Sequence, residues 1–252
     1  MLSARHVPAL VLVAAFGLAA CGGGESAPPA PAAAPVTNPV DPATAATVTG
    51  RVTFTGQAPA AQPISMASDP RCTNPGAVTE TVIAGANGAL QNVFVYVKDG
   101  LGNLAFPVPA TPVVLDQKGC QYRPHVFGVQ VGQSVEILNS DATLHNINAW
   151  PMTNQEFNVG QALQGLRHTH TFSTKEVMVP FKCDVHKWMN AYVGVLDHPF
   201  HAVTQPDGSF TLKGLPPGTY TVEAWHETLG TMTQSVTVGA KETKDVAFSF
   251  AG

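Results

Sequence analysis

The sequence predicts an all-β protein, and three observations carry that prediction. Charged residues make up only 12% of the 252 positions. Glycine and proline are abundant, at 23 and 21 residues, a composition suited to many turns. Val and Thr alternate with other residues in stretch after stretch, the two-residue period of a strand.

The first twenty residues stand apart from the fold. Arg5 and His6 precede an apolar run from Val7 to Ala20, too short to span a bilayer comfortably and read as a signal segment. From Gly22 to Ala46 the chain is rich in Gly, Ala, Pro and Ser with almost no large apolar residue. Such a stretch cannot bury a core and reads as a tether, reaching about 75 Å if extended as polyproline II.

Residues 47–55 put Val48, Val52 and Phe54 on one face and read as a strand. A Pro-rich loop over 57–76 follows, then a short strand over 79–84 and a turn at Asn87-Gly88. Residues 91–98 are apolar on both faces and predict a central strand. Beyond Pro112, strands are expected at 126–131, 135–138, 169–173, 177–183 and 190–196. Residues 145–150 lead into a loop, and 152–165 read as irregular with helical turns. The tail turns at Asp207-Gly208 and Pro217-Gly218 into strands, and Val236, Val238, Val246, Phe248 and Phe250 alternate in the last two.

The chemistry concentrates in Cys183-Asp184-Val185-His186-Lys187-Trp188-Met189. A thiol, an imidazole and a thioether recur at three-residue steps. Soft sulfur with imidazole suits copper, and two His plus one Cys with a weak Met is the blue-copper electron-transfer set. His145, after the strand 135–138 and the turn-rich Asn139-Ser140-Asp141, is the best candidate for the second His.

The run Gly132-Gln133-Ser134-Val135, Asn139-Ser140-Asp141 and His145-Asn146, with the Cys-x2-His-x2-Met loop, resembles a cupredoxin, a Greek-key β-sandwich. The Met spacing and the 38-residue step from His145 to Cys183 are similar to amicyanin and to the amicyanin-like proteins of methylamine-utilisation clusters. The resemblance covers about 112–197. It implies one type 1 copper held by His145, Cys183, His186 and Met189, with a three-coordinate copper or a backbone oxygen in place of Met189 as the alternatives. It also implies that Asn146 bonds across to the ligand loop near Asp184. The His186 edge should reach the surface inside an apolar rim of Trp188, Trp150, Pro151 and Met152, where a redox partner docks. A periplasmic cytochrome c or a quinoprotein dehydrogenase is the partner expected.

The tail motif Asp207-Gly208-Ser209-Phe210 with Leu215-Pro216-Pro217-Gly218-Thr219-Tyr220 resembles the carboxypeptidase regulatory-like domain. That domain is a small immunoglobulin- or transthyretin-like sandwich, also grouped with carbohydrate-binding folds. The tail alone has too few strands, and Gly50-Arg51-Val52 with 93–97 supplies the missing ones. The expected organisation is therefore a signal peptide (1–20), a lipidated Cys and tether (21–46), the opening strands of the regulatory-like domain (47–111), the cupredoxin domain (112–197), and the rest of the regulatory-like domain (198–252). Two tandem domains are the alternative.

Leu18-Ala19-Ala20-Cys21 resembles a bacterial lipobox, which implies lipid on Cys21 and a periplasmic face, with the outer membrane favoured by Gly22. With Cys21 and Cys183 so used, Cys72 and Cys120 remain, and in an exported protein they most simply pair. Their loop of about 49 residues would stabilise by about 4 kcal/mol. A second thiolate site with His125 stays open as the alternative. His168 and His170 are expected to face solvent. His198, His201 and His226 could meet across a domain boundary, although a hydrogen-bonded, partly buried His226 fits its strand better.

Thirteen Lys and Arg against 17 Asp and Glu give a net charge of −4, which argues against a nucleic-acid surface. Neither a Ser-His-Asp order, a phosphate loop nor a paired-carboxylate motif stands out, so no enzyme is expected. Single-electron carriage is the leading function. Copper storage, delivery or resistance, and a carbohydrate- or protein-binding module with structural copper, are the alternatives.

Overall fold

In the computed structural model, which describes residues 36–252, the alternating stretches form strands throughout. The signal segment, Cys21 and the first part of the tether lie outside the described residues. In chain order the strands are β1 (Ala46–Thr55), β2 (Phe94–Asp99), β3 (Val113–Gln117), β4 (Tyr122–Arg123), β5 (Val126–Gln130), β6 (Ser134–Asn139), β7 (His145–Ala149) and β8 (Phe157–Gln161). They continue with β9 (Arg167–Thr171), β10 (Glu176–Lys182), β11 (Asn190–Leu196), β12 (His201–Val203), β13 (Ser209–Leu215), β14 (Gly218–His226), β15 (Gly230–Val238) and β16 (Thr243–Ala251). Among the described residues no helix is long and apolar enough to cross a membrane.

The strands make two β-sandwiches. In the first, β1 lies between β13, antiparallel, and β16, parallel, and the facing sheet runs β12-β2-β14-β15. Alternation in β1 turns Val48, Val52 and Phe54 inward, where they meet Val95, Val97, Tyr220, Val222 and Val236. In the second, β5-β11-β10-β7-β8 packs on β4-β3-β6-β9 around Leu115, Val135, Ile137, Phe172, Phe181 and Val193. The chain thus starts one sandwich, builds the other between β3 and β11, and returns.

The two-faced apolar character of β2 has a direct use. Val95 and Val97 face the first core, while Phe94 and Tyr96 belong to a separate cluster with Val126 and Leu196 of the second sandwich. The Phe94 ring lies on bare glycine backbone: a Cβ at Gly194 would stand 2.4 Å from its Cζ, and one at Gly128 2.8 Å from its Cε2. Glycine at both positions is what lets the ring approach.

Several expectations need correction. Residues 79–84 form no strand: within them only Ala84 is bridged, to Leu90, and the Pro63–Val78 bridge falls one residue before them. Glu80 there pairs with Arg123 at 2.6 Å. Residues 145–149 are strand β7, and part of 152–165 is strand β8 paired to it, with Phe157 and Val159 turned toward the second core. The segment alternates, but its most buried inward position is the polar Gln161, so only two apolar residues mark the period. The short strand β12, paired to β2, has no counterpart in the sequence reading. His168 and His170 are half-buried, and His170 stacks on Phe157 at 3.9 Å between ring centres instead of facing solvent.

Buried histidines brace the first sandwich. His198 Nε2 donates to the Val97 carbonyl at 2.8 Å, and its Nδ1 accepts from the Phe200 amide at 3.2 Å. An acceptor Nδ1 demands a neutral ring, and burial pushes its pKa down to about 4. The unfolded chain therefore binds the proton first, and stability falls as pH drops from about 6.5 toward 4. The limit is on the order of 3 kcal/mol for this ring. Melting curves from pH 7.5 to 4.5 should show this loss, and His198→Gln should flatten the slope; an unchanged slope would exclude His198 as its source.

Candidate metal centre

Two loops at one end of the second sandwich carry the site. His145 opens β7 after the turn 140–144, and Cys183 follows the last residue of β10. The stretch from Cys183 to Met189 closes on itself. The Cys183 amide donates to the Met189 carbonyl at 3.2 Å, the Met189 amide to the His186 carbonyl at 2.9 Å, and the His186 amide to Cys183 Sγ at 3.4 Å. Three-residue spacing on so tight a turn brings the thiol and the imidazole to one side, with Nδ1 of His186 3.9 Å from Cys183 Sγ.

His145 meets them from the neighbouring strand. Its Nδ1 stands 2.9 Å from Nδ1 of His186. The donor atoms of His145, Cys183 and His186 all lie within 4.8 Å of one another and all three residues are buried. Met189 is buried in the same core. Among the described residues, the other candidate groupings use Cys72 or Cys120. Those two sulfurs are joined in a disulfide, so they offer no thiolate. The expected pairing is thus present, and His125 bonds Glu227 at 2.7 Å instead of serving a second thiolate site.

The outward ring nitrogens are both occupied. His145 Nε2 reaches Asp141 Oδ2 at 2.9 Å, and His186 Nε2 reaches Asp69 Oδ2 at 3.2 Å. A hydrogen bond from Thr143 and one from the Arg71 amide hold the Asp69 carboxyl well below the usual range. Burial raises Asp141, but bonds from His145 and the Cys120 and Gly119 amides outweigh it and leave it lowered. Ionised carboxylates only accept, so each Nε2 carries the hydrogen and each Nδ1 turns a lone pair inward. Two lone pairs 2.9 Å apart repel, and the arrangement calls for a cation between them, a proton or a metal.

The protonation pattern follows the same logic. Burial lowers both imidazoles, but Asp141 and Cys183 outweigh it at His145, which is raised. At His186 burial prevails over Asp69, and the neighbouring His145 adds to the lowering. Burial pushes the Cys183 thiol up, yet His145 and the amides of Asn146, His186 and Val185 bring it below its ordinary value. A buried, thiolate-prone sulfur with two converging nitrogens fits a soft or borderline metal such as copper.

Asn146 ties the loops. Its Oδ1 accepts from the Asp184 amide at 2.6 Å, and its Nδ2 donates to Asp184 Oδ2 at 2.8 Å. Asn148 and Asn158 also donate to that carboxylate, at 3.2 and 2.8 Å.

The expected exposed edge of His186 is not there. The ring is 1% exposed, closed over by Asp69 and by Cys72, whose Sγ lies 3.5 Å from Nε2. Trp188 is half-buried, lies tilted against His186 with ring centres 5.1 Å apart and donates to the Cys120 carbonyl at 2.8 Å. Trp150 and Met152 are exposed, at 51% and 97%, whereas Pro151 is buried. A cleft lined by Trp150, Lys182, Cys183, Lys187 and Trp188 opens beside the thiol. Sequence reasoning missed Asp69, Thr143 and the part played by Asp141; only Asp141, four residues before His145, carried a positional hint.

Comparisons with known proteins match parts of the chain. The family model described as carboxypeptidase regulatory-like domain matches residues 189–251. No curated protein matches the chain. Solved structures similar to part of it include the Cu-containing nitrite reductase from Thermus scotoductus SA-01, at 21% identity and TM-score 0.33, over 40% of this chain and 26% of that one. A mutant of amicyanin in the Cu(I) state shares 21% identity at TM-score 0.30, over 35% of this chain and 85% of that one. A purple cupredoxin from Nitrosopumilus maritimus shares 23% at TM-score 0.29, over 34% of this chain and 99% of that one. Scores this low leave the functional reading to the side chains.

Proposed function

We propose that this chain is a lipid-tethered type 1 copper protein that carries single electrons between periplasmic redox partners. The carrying observation is the buried convergence of His145 Nδ1, His186 Nδ1 and Cys183 Sγ. His145, Cys183 and His186 would hold the copper, with Met189 as the weak fourth ligand. Copper, when bound, supplies a one-electron couple. The chain's residues keep the donors in place, since the Cys183–Met189 turn and the Asn146–Asp184 bonds hold the two loops together. Burial excludes water from the donors. Lipid on Cys21 and the tether would keep the domain at the membrane.

With His186 covered, the docking face is best assigned to the cleft beside Cys183, which is lined by the exposed Trp150 and by Trp188 together with Lys182, Asp184 and Lys187. Weak redox encounters bury little area, and an exposed patch of this kind suits a transient partner. The visible and EPR spectra of the copper-loaded protein test the metal assignment. Trp150→Asp should slow electron transfer to a cytochrome c at least several-fold and leave those spectra unchanged, because Trp150 lines the cleft and is not one of the donor residues. Unaltered transfer would move the docking face elsewhere. Rapid surrender of copper to a chelator, without a reversible couple, would favour storage or delivery.

A further inference from the structure

We propose that Asp69 and Asp141, stapled together by the Cys72–Cys120 disulfide, are positioning residues that fix both imidazoles with Nε2–H outward and Nδ1 inward before any metal arrives. The proposal rests on the copper reading for its purpose but not for its geometry. Asp141 is gripped by backbone: its Oδ1 accepts from the Gly119 amide and its Oδ2 from the Cys120 amide, both at 2.8 Å, leaving Oδ2 also on His145 Nε2. Asp69 Oδ1 accepts from the Arg71 amide at 3.0 Å and from Arg71 Nε at 3.2 Å. Its Oδ2 is shared between Thr143 Oγ1 at 2.5 Å and His186 Nε2 at 3.2 Å.

These two carboxylates come from different parts of the chain. Asp69 and Cys72 lie on the connection from β1 to β2, outside the strands of the second sandwich. The disulfide brings that connection onto Cys120, whose amide already holds Asp141. Thr143, two residues before His145, then links Asp69 to the other ligand loop. One crosslinked unit thereby contacts both ligand rings on their outer edges. A carboxylate on a ligand imidazole sets its tautomer and orientation, and removing such a partner typically weakens metal affinity about 10–100-fold. A loop-stapling role alone would need neither carboxylate to face a ring nitrogen.

The test begins with the metal-free full chain. Histidine 1H–15N spectra should show hydrogen on Nε2 of both His145 and His186, and a His186 ring bearing hydrogen only on Nδ1 overturns the proposal. Cu(I) affinity, by competition with a coloured chelator, should fall about 10–100-fold in Asp69→Ala. Asp69→Asn, whose amide oxygen can still accept from Nε2, should retain the His186 Nε2–H signal and recover part of the affinity. An Asp69→Ala protein that binds Cu(I) within threefold of wild type overturns the proposal. If Asp69→Ala does not fold, the asparagine variant and the wild-type spectra decide. A wild-type chain that binds no Cu(I) defeats the copper reading instead, and the tautomer spectra still judge the positioning.

Discussion

Cys183→Ser should abolish the intense thiolate-to-copper absorption of the metal-loaded protein. The sulfur is the one soft anionic donor of the convergent set, being buried and held below its ordinary pKa chiefly by His145 and nearby amides acting against burial. A serine hydroxyl is smaller, remains protonated in the same place and cannot serve as that charge-transfer donor. The fold should survive, since one atom changes and the turn retains its bond from the Met189 amide to the His186 carbonyl. Far-UV circular dichroism checks the fold, and visible and EPR spectra read the site. A wild-type protein that takes up copper without the band, or a serine variant that retains it, would show that the type 1 assignment is wrong.

Phe94→Ala should be the most destabilising single truncation of the interface between the sandwiches. The ring is 0% exposed and packs on Gly194 and Gly128 of the second sandwich, with the His201 ring 5.4 Å away and Tyr96 at 5.5 Å. Its removal leaves a cavity walled by strands of both sandwiches, which can collapse only by moving one against the other. A loss of about 3–5 kcal/mol is expected. Urea unfolding measures it, and a loss below about 1 kcal/mol would mean that the two sandwiches part or repack without cost. A split of one transition into two would show that Phe94 couples their unfolding.

Much of the strand pattern could be read from single segments. Residues 47–55 alternate cleanly because one face of β1 is buried and the other is wet. The central place of β2 was visible in its lack of alternation, though not that its second face serves another sandwich. Residues 157–161 were harder to read because this short edge strand carries only two apolar inward residues, Phe157 and Val159, and buries the polar Gln161 at the third inward position.

At the site, the sequence by itself determined the candidate donors on the turn. Cys183, His186 and Met189 are spaced by covalent geometry, and any tight closure of that loop keeps the thiol and the imidazole together. Asn146 and Asp184 were legible through their adjacency to His145 and Cys183. The tertiary structure alone decided what covers the imidazoles. Asp69 stands 117 positions from His186, on a Pro-rich loop with no periodicity to mark it. Its carboxylate acquires a role only when the Cys72–Cys120 crosslink and Thr143 hold it against the ring. Local spacing constrains atoms a few bonds apart, whereas the closure of the His186 edge depends on which distant loops pack together, and that is settled by burial and pairing across the whole chain.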